Sequence, residues 1–465
     1  MPSFPQRALL ERTRQLAVEF LEGLGRRAVG RPVDFGSLVE SAGVRMPEEG
    51  EDPVGVIEHL AKSMDAGLVA SAGQRYFGFV IGGSVPAAMA ADWLTTVWDQ
   101  NAFNFASSPA AAAAEEIAAR WLIDLFGLPS GTSVGFTTGC TMSNFTALAA
   151  ARHALLRKAG WDVETQGLFG APPITVVVSD ESHVTIFAAL QMLGLGRERV
   201  IRVPCDAQGR MRAGDASAIL KGLQGPVLVC AQAGNVNTGA SDPIEEIAGY
   251  VREASGWLHV DGAFGLWAAV SPSYQGLARG IDRADSIAAD CHKWLNVPYD
   301  SGVVFVRDAA AHRAAMTLSA AYYGQRPDEA RDNYNWVAES SRRARGFVVY
   351  AALRSMGRRG LAEMIERCCA LARRMAGRLS EAAGVRILND IVLNQVLVRF
   401  GDADSLTAEV IRKVQEDGTC WAGATTWQGV TAMRISVSNW STSEADIDAS
   451  AEAILRCASR AATAG

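Results

Sequence analysis

Apolar residues recur at helical spacing over residues 6–28 (Leu9, Leu10, Leu16, Val18, Phe20, Leu21 and Leu24), and a second amphipathic helix is predicted near 53–65. A segment rich in Pro, Glu and Gly separates them. This N-terminal layer, taken as residues 1–80, is too segmented for a core of its own and must pack on a neighbour or a partner subunit. Helical patterns follow at 86–98, 110–127 and 142–158. They give way to short β-branched runs at 174–178, 200–203, 227–231, 258–260 and 303–306. Runs of 3–5 residues that are apolar on both faces are the pattern of buried strands in a mostly parallel sheet, and strands alternating with helices predict an α/β domain over 81–345. A polar stretch at 324–335 reads as a mobile loop. Helices at 341–358 and 360–383, then strands at 395–400 and 432–437, predict a small α+β domain over 346–465.

Composition narrows the class. Of 465 residues, 49% are apolar and 20% charged, which places the chain among globular proteins. The net charge of −6 and the lack of a basic block argue against nucleic acid as a partner. A phosphate ligand stays open, because local backbone N–H groups hold phosphates. The eight cysteines form no CxxC pair or metal-ligand cluster, so no metal is expected and a reduced, cytoplasmic protein is. The charged N-terminus resembles no signal peptide, and no apolar run is long enough to span a membrane.

Four segments carry candidate chemistry. Thr137-Thr-Gly-Cys-Thr-Met-Ser-Asn144 precedes an Ala-rich helix. Small and hydroxyl residues there suit either an ordinary cap or a phosphate held by free N–H groups. Asp180-Glu-Ser-His183 follows a strand, where His183 is either a satisfied loop residue or one that stacks on a flat cofactor or moves a proton. Trp257-Leu-His-Val-Asp261-Gly-Ala263 ends an apolar strand with a carboxylate and two tiny residues, which is either a cap or a place for something flat and positively charged. Asp285-Ser-Ile-Ala-Ala-Asp-Cys-His292-Lys293-Trp294 puts a lysine in an apolar run; it is either a snorkelling surface side chain or a buried amine able to form a Schiff base. No GxGxxG after a strand, GxxxxGK[ST] or HExxH occurs. The GxSxG match at Gly131-Thr-Ser133-Val-Gly135 is not placed between strand and helix, so it reads as chance.

Together, His183, the strand into Asp261-Gly-Ala263, and His292-Lys293-Trp294 resemble the group II pyridoxal 5′-phosphate (PLP)-dependent amino acid decarboxylases, which include the aromatic-L-amino-acid, histidine and glutamate enzymes. Arg75-Tyr-Phe-Gly-Phe, Ser107-Ser-Pro-Ala, the stretch 115–129 and Met433-Arg-Ile-Ser-Val-Ser-Asn-Trp440 are similar to further blocks of that family. The resemblance runs from about Arg75 to the C-terminus. It implies a fold-type-I PLP enzyme, a homodimer with shared active sites, that decarboxylates an L-amino acid; an aromatic or bulky apolar substrate is favoured only by the aromatic pocket candidates. Lys293 then looks like the Schiff-base lysine, Asp261 the partner of the pyridinium nitrogen, and His183 and Ala263 the two faces of the ring site. His292 is similar to the histidine near the phosphate and the substrate amine, and Gly139, Cys140 and Thr141 take the phosphate-loop positions. Tyr334 resembles a mobile-loop tyrosine that protonates the substrate carbon. Trp98, Asn101 and Phe103 are candidates for the substrate pocket. The alternatives are another PLP reaction (oxidative decarboxylation to an aldehyde, Cα–Cβ cleavage or transamination) or a catalytically silent binding protein of the same fold.

The chain departs from the family pattern at four places. Asn235 stands where Thr is common and would still bond the cofactor. Asp290 and Cys291 replace Asn and a small residue, and an Asp facing the phosphate would weaken its binding. Asn101 is polar where some relatives are aliphatic. Counted back from Trp336, the tyrosine position falls on Asn333, so Tyr322 or Tyr323 are alternatives to Tyr334.

Overall fold

The computed structural model describes residues 6–317 and 331–463. Tyr322, Tyr323 and most of the polar loop lie outside the described residues. Eleven strands form two sheets. The larger contains β1 (Ser133–Thr137), β2 (Thr175–Ser179), β3 (Val200–Val203), β4 (Val227–Gln232), β5 (Trp257–Asp261), β6 (Ser286–Asp290) and β7 (Gly302–Val306), in the spatial order β1-β7-β6-β5-β4-β2-β3. Only β7 runs against the others. The β-branched runs at 174–178, 200–203, 227–231, 258–260 and 303–306 all fall on these strands. β1 and β6 escaped the hydrophobic pattern. β1 (SVGFT) is diluted by small and hydroxyl residues, and β6 (SIAAD) by two alanines and a terminal carboxylate, yet every position in both is buried.

The second sheet is antiparallel, β10 (Gly423–Trp427), β11 (Val430–Ser436), β9 (Gln395–Phe400) and β8 (Val385–Ile387) in order. It packs with the C-terminal helices around Val396, Val398, Met433 and Ile435. The two helices expected at 341–358 and 360–383 are one run at Gly346–Ser380, broken at Gly357 where φ is 64°. The residue after that break can turn because glycine carries no Cβ penalty there.

The large sheet is covered on both faces. Its buried Leu258 and Val260 belong to one core, while Val176, Val178 and Leu228 pack against the Ala-rich helix on the other face. Five helices precede β1: α1 (Gln6–Gly23), α2 (Phe35–Ala42), α3 (Pro53–Met64), α4 (Pro86–Trp98) and α5 (Pro109–Leu125). α1, α2 and α3 contain no buried residue at all despite their apolar stripes. α6 (Cys140–Lys158) follows β1 directly. Ser133 of the GxSxG match lies within β1, where its hydroxyl donates to the Val306 carbonyl at 3.0 Å, so it is no nucleophile elbow. Among the described residues no helix is long and apolar enough to cross a membrane.

Candidate active site

Loops at the C-terminal ends of β1, β2, β5 and β6 converge, as sites do in open α/β sheets. They enclose a cavity of about 300 Å³ lined by residues 138–142, His183, Thr185, Ala263, Asp290, His292 and Lys293. The sequence-predicted Gly139, Cys140, Thr141, His183, Ala263, His292 and Lys293 are therefore brought together, and Asp261 lies directly behind them.

Asp261 ends β5, and the two-residue period of a strand puts His259 on the same face, toward α6. The carboxylate accepts hydrogen bonds from Asn144 Nδ2 (3.3 Å), the Ala263 N–H (3.1 Å) and Cys140 Sγ (3.4 Å). His259 fixes the Asn144 amide, its Nε2 lying 2.9 Å from Asn144 Oδ1. Ser286 Oγ, 3.0 Å from His259 Nδ1, accepts from Trp257 Nε1 at 2.9 Å, which closes the chain of bonds. Burial pushes the His259 imidazole down to about 4, so it is neutral near pH 7. The other Asn144 N–H reaches Thr185 Oγ1 (3.2 Å), which is 2.9 Å from His183 Nδ1. His183 also caps its helix, accepting from the Thr185 N–H. The loop-residue and site readings of His183 thus hold together in one side chain. Desolvation lowers its pKa, with the Lys293 and Arg434 charges adding and Asp261 opposing.

Lys293 keeps 18% of its side-chain accessibility, and its Nζ lies 2.9 Å from Asp290 Oδ2. Burial alone would lower the amine pKa, but the Asp290 carboxylate, aided by Asp261, outweighs it and holds Lys293 above the ordinary lysine value. His292 Nδ1 accepts from the Ser301 N–H at 3.1 Å, so the ring proton sits on Nε2, which faces Asp290 Oδ1 at 3.3 Å. Desolvation depresses His292, so this contact is a hydrogen bond from a neutral ring near pH 7. A Cβ on Gly139 would sit 3.0 Å from His292 Cε1, which explains the glycine at the mouth of α6. Cys140 and Cys291 are buried with thiols pushed up by desolvation, which fits inert packing.

The donor set suits PLP. A cavity of about 300 Å³ is at the lower end for small-molecule sites. The N-terminus of α6 offers N–H groups and positive dipole to a phosphate. Asp261 is a buried carboxylate behind this cavity, and His183 and Ala263 both line it.

Other predicted residues lie elsewhere. Asn235 is buried, but its Oδ1 accepts from the Asn237 and Thr238 N–H groups and its Nδ2 is turned toward Gly209, so it does not line the cavity. Trp98 packs edge-on against Phe347, and Asn101 bridges Arg342 and Ser341. Tyr334 stacks on Phe103 with ring centroids 4.9 Å apart, away from the cavity of its own chain. Three residues were not anticipated. Tyr299 lies 4.3 Å from the His292 ring, and its phenol feels both Lys293 and Asp290. Tyr76 feels Tyr299 and stacks on Trp421, beside Phe79. Arg434 is a partly buried cation whose nearest polar partner is Asn237 Oδ1 at 3.4 Å; among the described residues no carboxylate pairs with it. Its signal was an arginine as the single charged residue of β11, VTAMRIS.

Comparison with known proteins places the chain in a family. Residues 36–400 match the model of the pyridoxal-dependent decarboxylase conserved domain. The chain is 25% identical over 411 residues to an aromatic-L-amino-acid decarboxylase of Bacillus atrophaeus, covering 86% of this chain and 83% of that one. It is 28% identical over 353 residues to the human acidic amino acid decarboxylase GADL1, covering 74% and 67%. The crystal structure of Oryza sativa TDC with PLP and tryptamine superposes with a TM-score of 0.92 at 22% identity, covering 99% of both chains. Mouse CSAD gives 0.91 at 24% identity, covering 98% and 99%.

Proposed function

We propose that this chain, which belongs to the pyridoxal-dependent decarboxylase family, works through Lys293 on an aromatic L-amino acid. It is a PLP-dependent amino acid decarboxylase. The observation that carries the assignment is the meeting of Lys293, Asp261 and the N-terminus of α6 around one cavity. Bound PLP supplies an electron sink for the pair left at Cα when CO₂ departs. Lys293 would hold the cofactor through its amine, which lines the cavity. Asp261 keeps a positive charge on the ring side of the site, and the bonds from Asn144 and Ala263 fix its direction. His183 and Ala263 confine a planar group between them, and the residues 139–141 bind its phosphate. His292, neutral and oriented by Ser301, stands beside the amine.

The aromatic preference rests on Tyr299, packed on the His292 ring and within electrostatic reach of Lys293, and on Tyr76 near it, which stacks on Trp421 beside Phe79. Arg434 supports a second reading, an acidic side chain, because it carries an unpaired charge toward His183. A panel of L-amino acids with added PLP and CO₂ detection separates the two. Aromatic substrates turned over at least about tenfold faster than aspartate, glutamate or cysteine sulfinate support the first, since an apolar pocket without a paired charge discriminates by that much. The reverse order replaces it with the second.

A homodimer with shared sites is the proposed assembly. Its support is the apolar surface that α1 to α4 leave exposed: Leu10 is 54% exposed, Leu60 51%, Trp93 43% and Val97 63%. Faces of this size on a monomer mark an interface. A second copy covering them would bring Trp98, Asn101, Phe103 and the Tyr334 stacked on Phe103 toward the partner's cavity, with Tyr334 as proton donor to Cα. The eight free cysteines support a reducing, cytoplasmic setting.

A further inference from the structure

Asp290 sits where the site most needs no negative charge. Its backbone is pinned at the end of β6, the N–H donating to the Ala263 carbonyl (2.9 Å) and the carbonyl accepting from Trp267 Nε1 (3.0 Å). Only 4% of its side chain is accessible. Oδ1 accepts the N–H of Cys140, the first residue of α6, at 2.6 Å, and Oδ2 meets Lys293 Nζ at 2.9 Å. The carboxylate therefore occupies both the anion position at the mouth of a 19-residue helix and the ammonium beside it. Among the residues that line the cavity, Asp290 is the one carboxylate; Asp261 lies behind the lining, held by Asn144, Ala263 and Cys140 Sγ, and accepts neither the Cys140 N–H nor Lys293 Nζ.

We propose that Asp290 is a built-in anion that competes with the cofactor's phosphate for the N-terminus of α6 and for Lys293. It lowers the affinity of the site for PLP and keeps the cofactor exchangeable. The inference rests on reading this cavity as the PLP site. Binding a phosphate at α6 requires the carboxylate to release the Cys140 N–H, and the two anions then repel across a few ångströms. An amide at the same position would bond the same N–H without the charge. The ion pair with Asp290 also holds Lys293 as an ammonium, which has no lone pair with which to attack a carbonyl.

The test uses the full-length apoprotein and Asp290→Asn, with pyridoxamine 5′-phosphate as probe. That probe carries the phosphate but cannot bond covalently to Lys293, and pyridoxamine serves as the control without phosphate. Asp290→Asn binds pyridoxamine 5′-phosphate about tenfold tighter or more, since one like charge at this range is worth on the order of 1.4 kcal/mol. Its affinity for pyridoxamine changes by less than about threefold, because that ligand adds no anion. Equal affinity of the two proteins for the phosphate-bearing probe overturns the proposal, and so does an equal gain for both probes. Asp290→Ser, checked by circular dichroism, replaces the Asn variant if that one fails to fold. If neither the wild type nor Asp290→Asn takes up PLP, as judged by the absence of any visible absorption, the cofactor-site reading fails instead.

Discussion

The Asn144 amide spans 3.3 Å to Asp261 Oδ2 while its carbonyl oxygen takes the His259 proton at 2.9 Å, so one helix residue orients the carboxylate that faces the ring site. Both groups are buried, and neither has water to fall back on.

Replacing that amide leaves two buried groups short of a partner. Asn144→Ala lowers stability by about 1–3 kcal/mol, the cost of a buried group left unsatisfied. It also weakens PLP retention, because Asp261 is free to turn. Thermal melting and a PLP titration of the apoprotein measure the two effects; a variant with unchanged melting and unchanged affinity rules out the positioning role.

Buried neutral histidines set a pH dependence. His259 is pushed down to about 4 and His312 to about 3, both by burial, against an ordinary value of 6.5. Below about 6.5 the unfolded chain takes up protons that the folded chain refuses, so stability falls as pH drops toward 4. His259 alone accounts for on the order of 3 kcal/mol of that fall. Melting temperatures at pH 7, 5.5 and 4 follow this slope, and His259→Asn flattens it. A parallel pH profile in the variant contradicts the assignment.

Glu115 on α5 is fully buried against Arg342, with Arg331 Nε 3.8 Å from its other oxygen. This cluster ties the segment around Tyr334 to α5. Glu115→Ala strands the buried Arg342, while Arg331 keeps Glu116 at 3.7 Å, and costs about 3–5 kcal/mol. The double variant Glu115→Ala/Arg342→Met recovers part of the loss, as chemical denaturation will register. A single variant as stable as wild type shows the pair to be dispensable.

The proposed sharing of sites between two copies is tested by complementation. Lys293→Ala and Tyr334→Phe homodimers each make little amine. Mixed and reassembled, they regain about a quarter of wild-type amine formation, because half the dimers are mixed and each holds one complete site. No gain on mixing removes Tyr334 from the partner's site.

Much of this was legible in the chain. The buried strands advertised themselves as β-branched runs, and the motifs around Asp261 and Lys293 carried enough unusual polarity in apolar surroundings to be singled out. The two strands without that pattern, β1 and β6, are built from small residues whose burial comes from neighbours. Asn144 stood inside a marked motif, yet its task depends on His259, 115 residues away, a contact that only the folded sheet creates. Asn235 sits in a turn of its own making and needs its oxygen there, which no spacing rule reveals. The exposed stripes of α1 and α3 read as amphipathic helices in sequence, whereas α2 fell in the stretch read as a segment rich in Pro, Glu and Gly; that none of the three has a buried residue emerged only when the single chain was seen folded.

The central claim is that Lys293, one of five lysines in the chain, holds the cofactor. Incubating the protein with PLP, reducing with borohydride and mapping the labelled peptide tests it directly. A visible band lost on reduction, with the label on Lys293, is the predicted result; a label on any other lysine, or no band at all, contradicts the account.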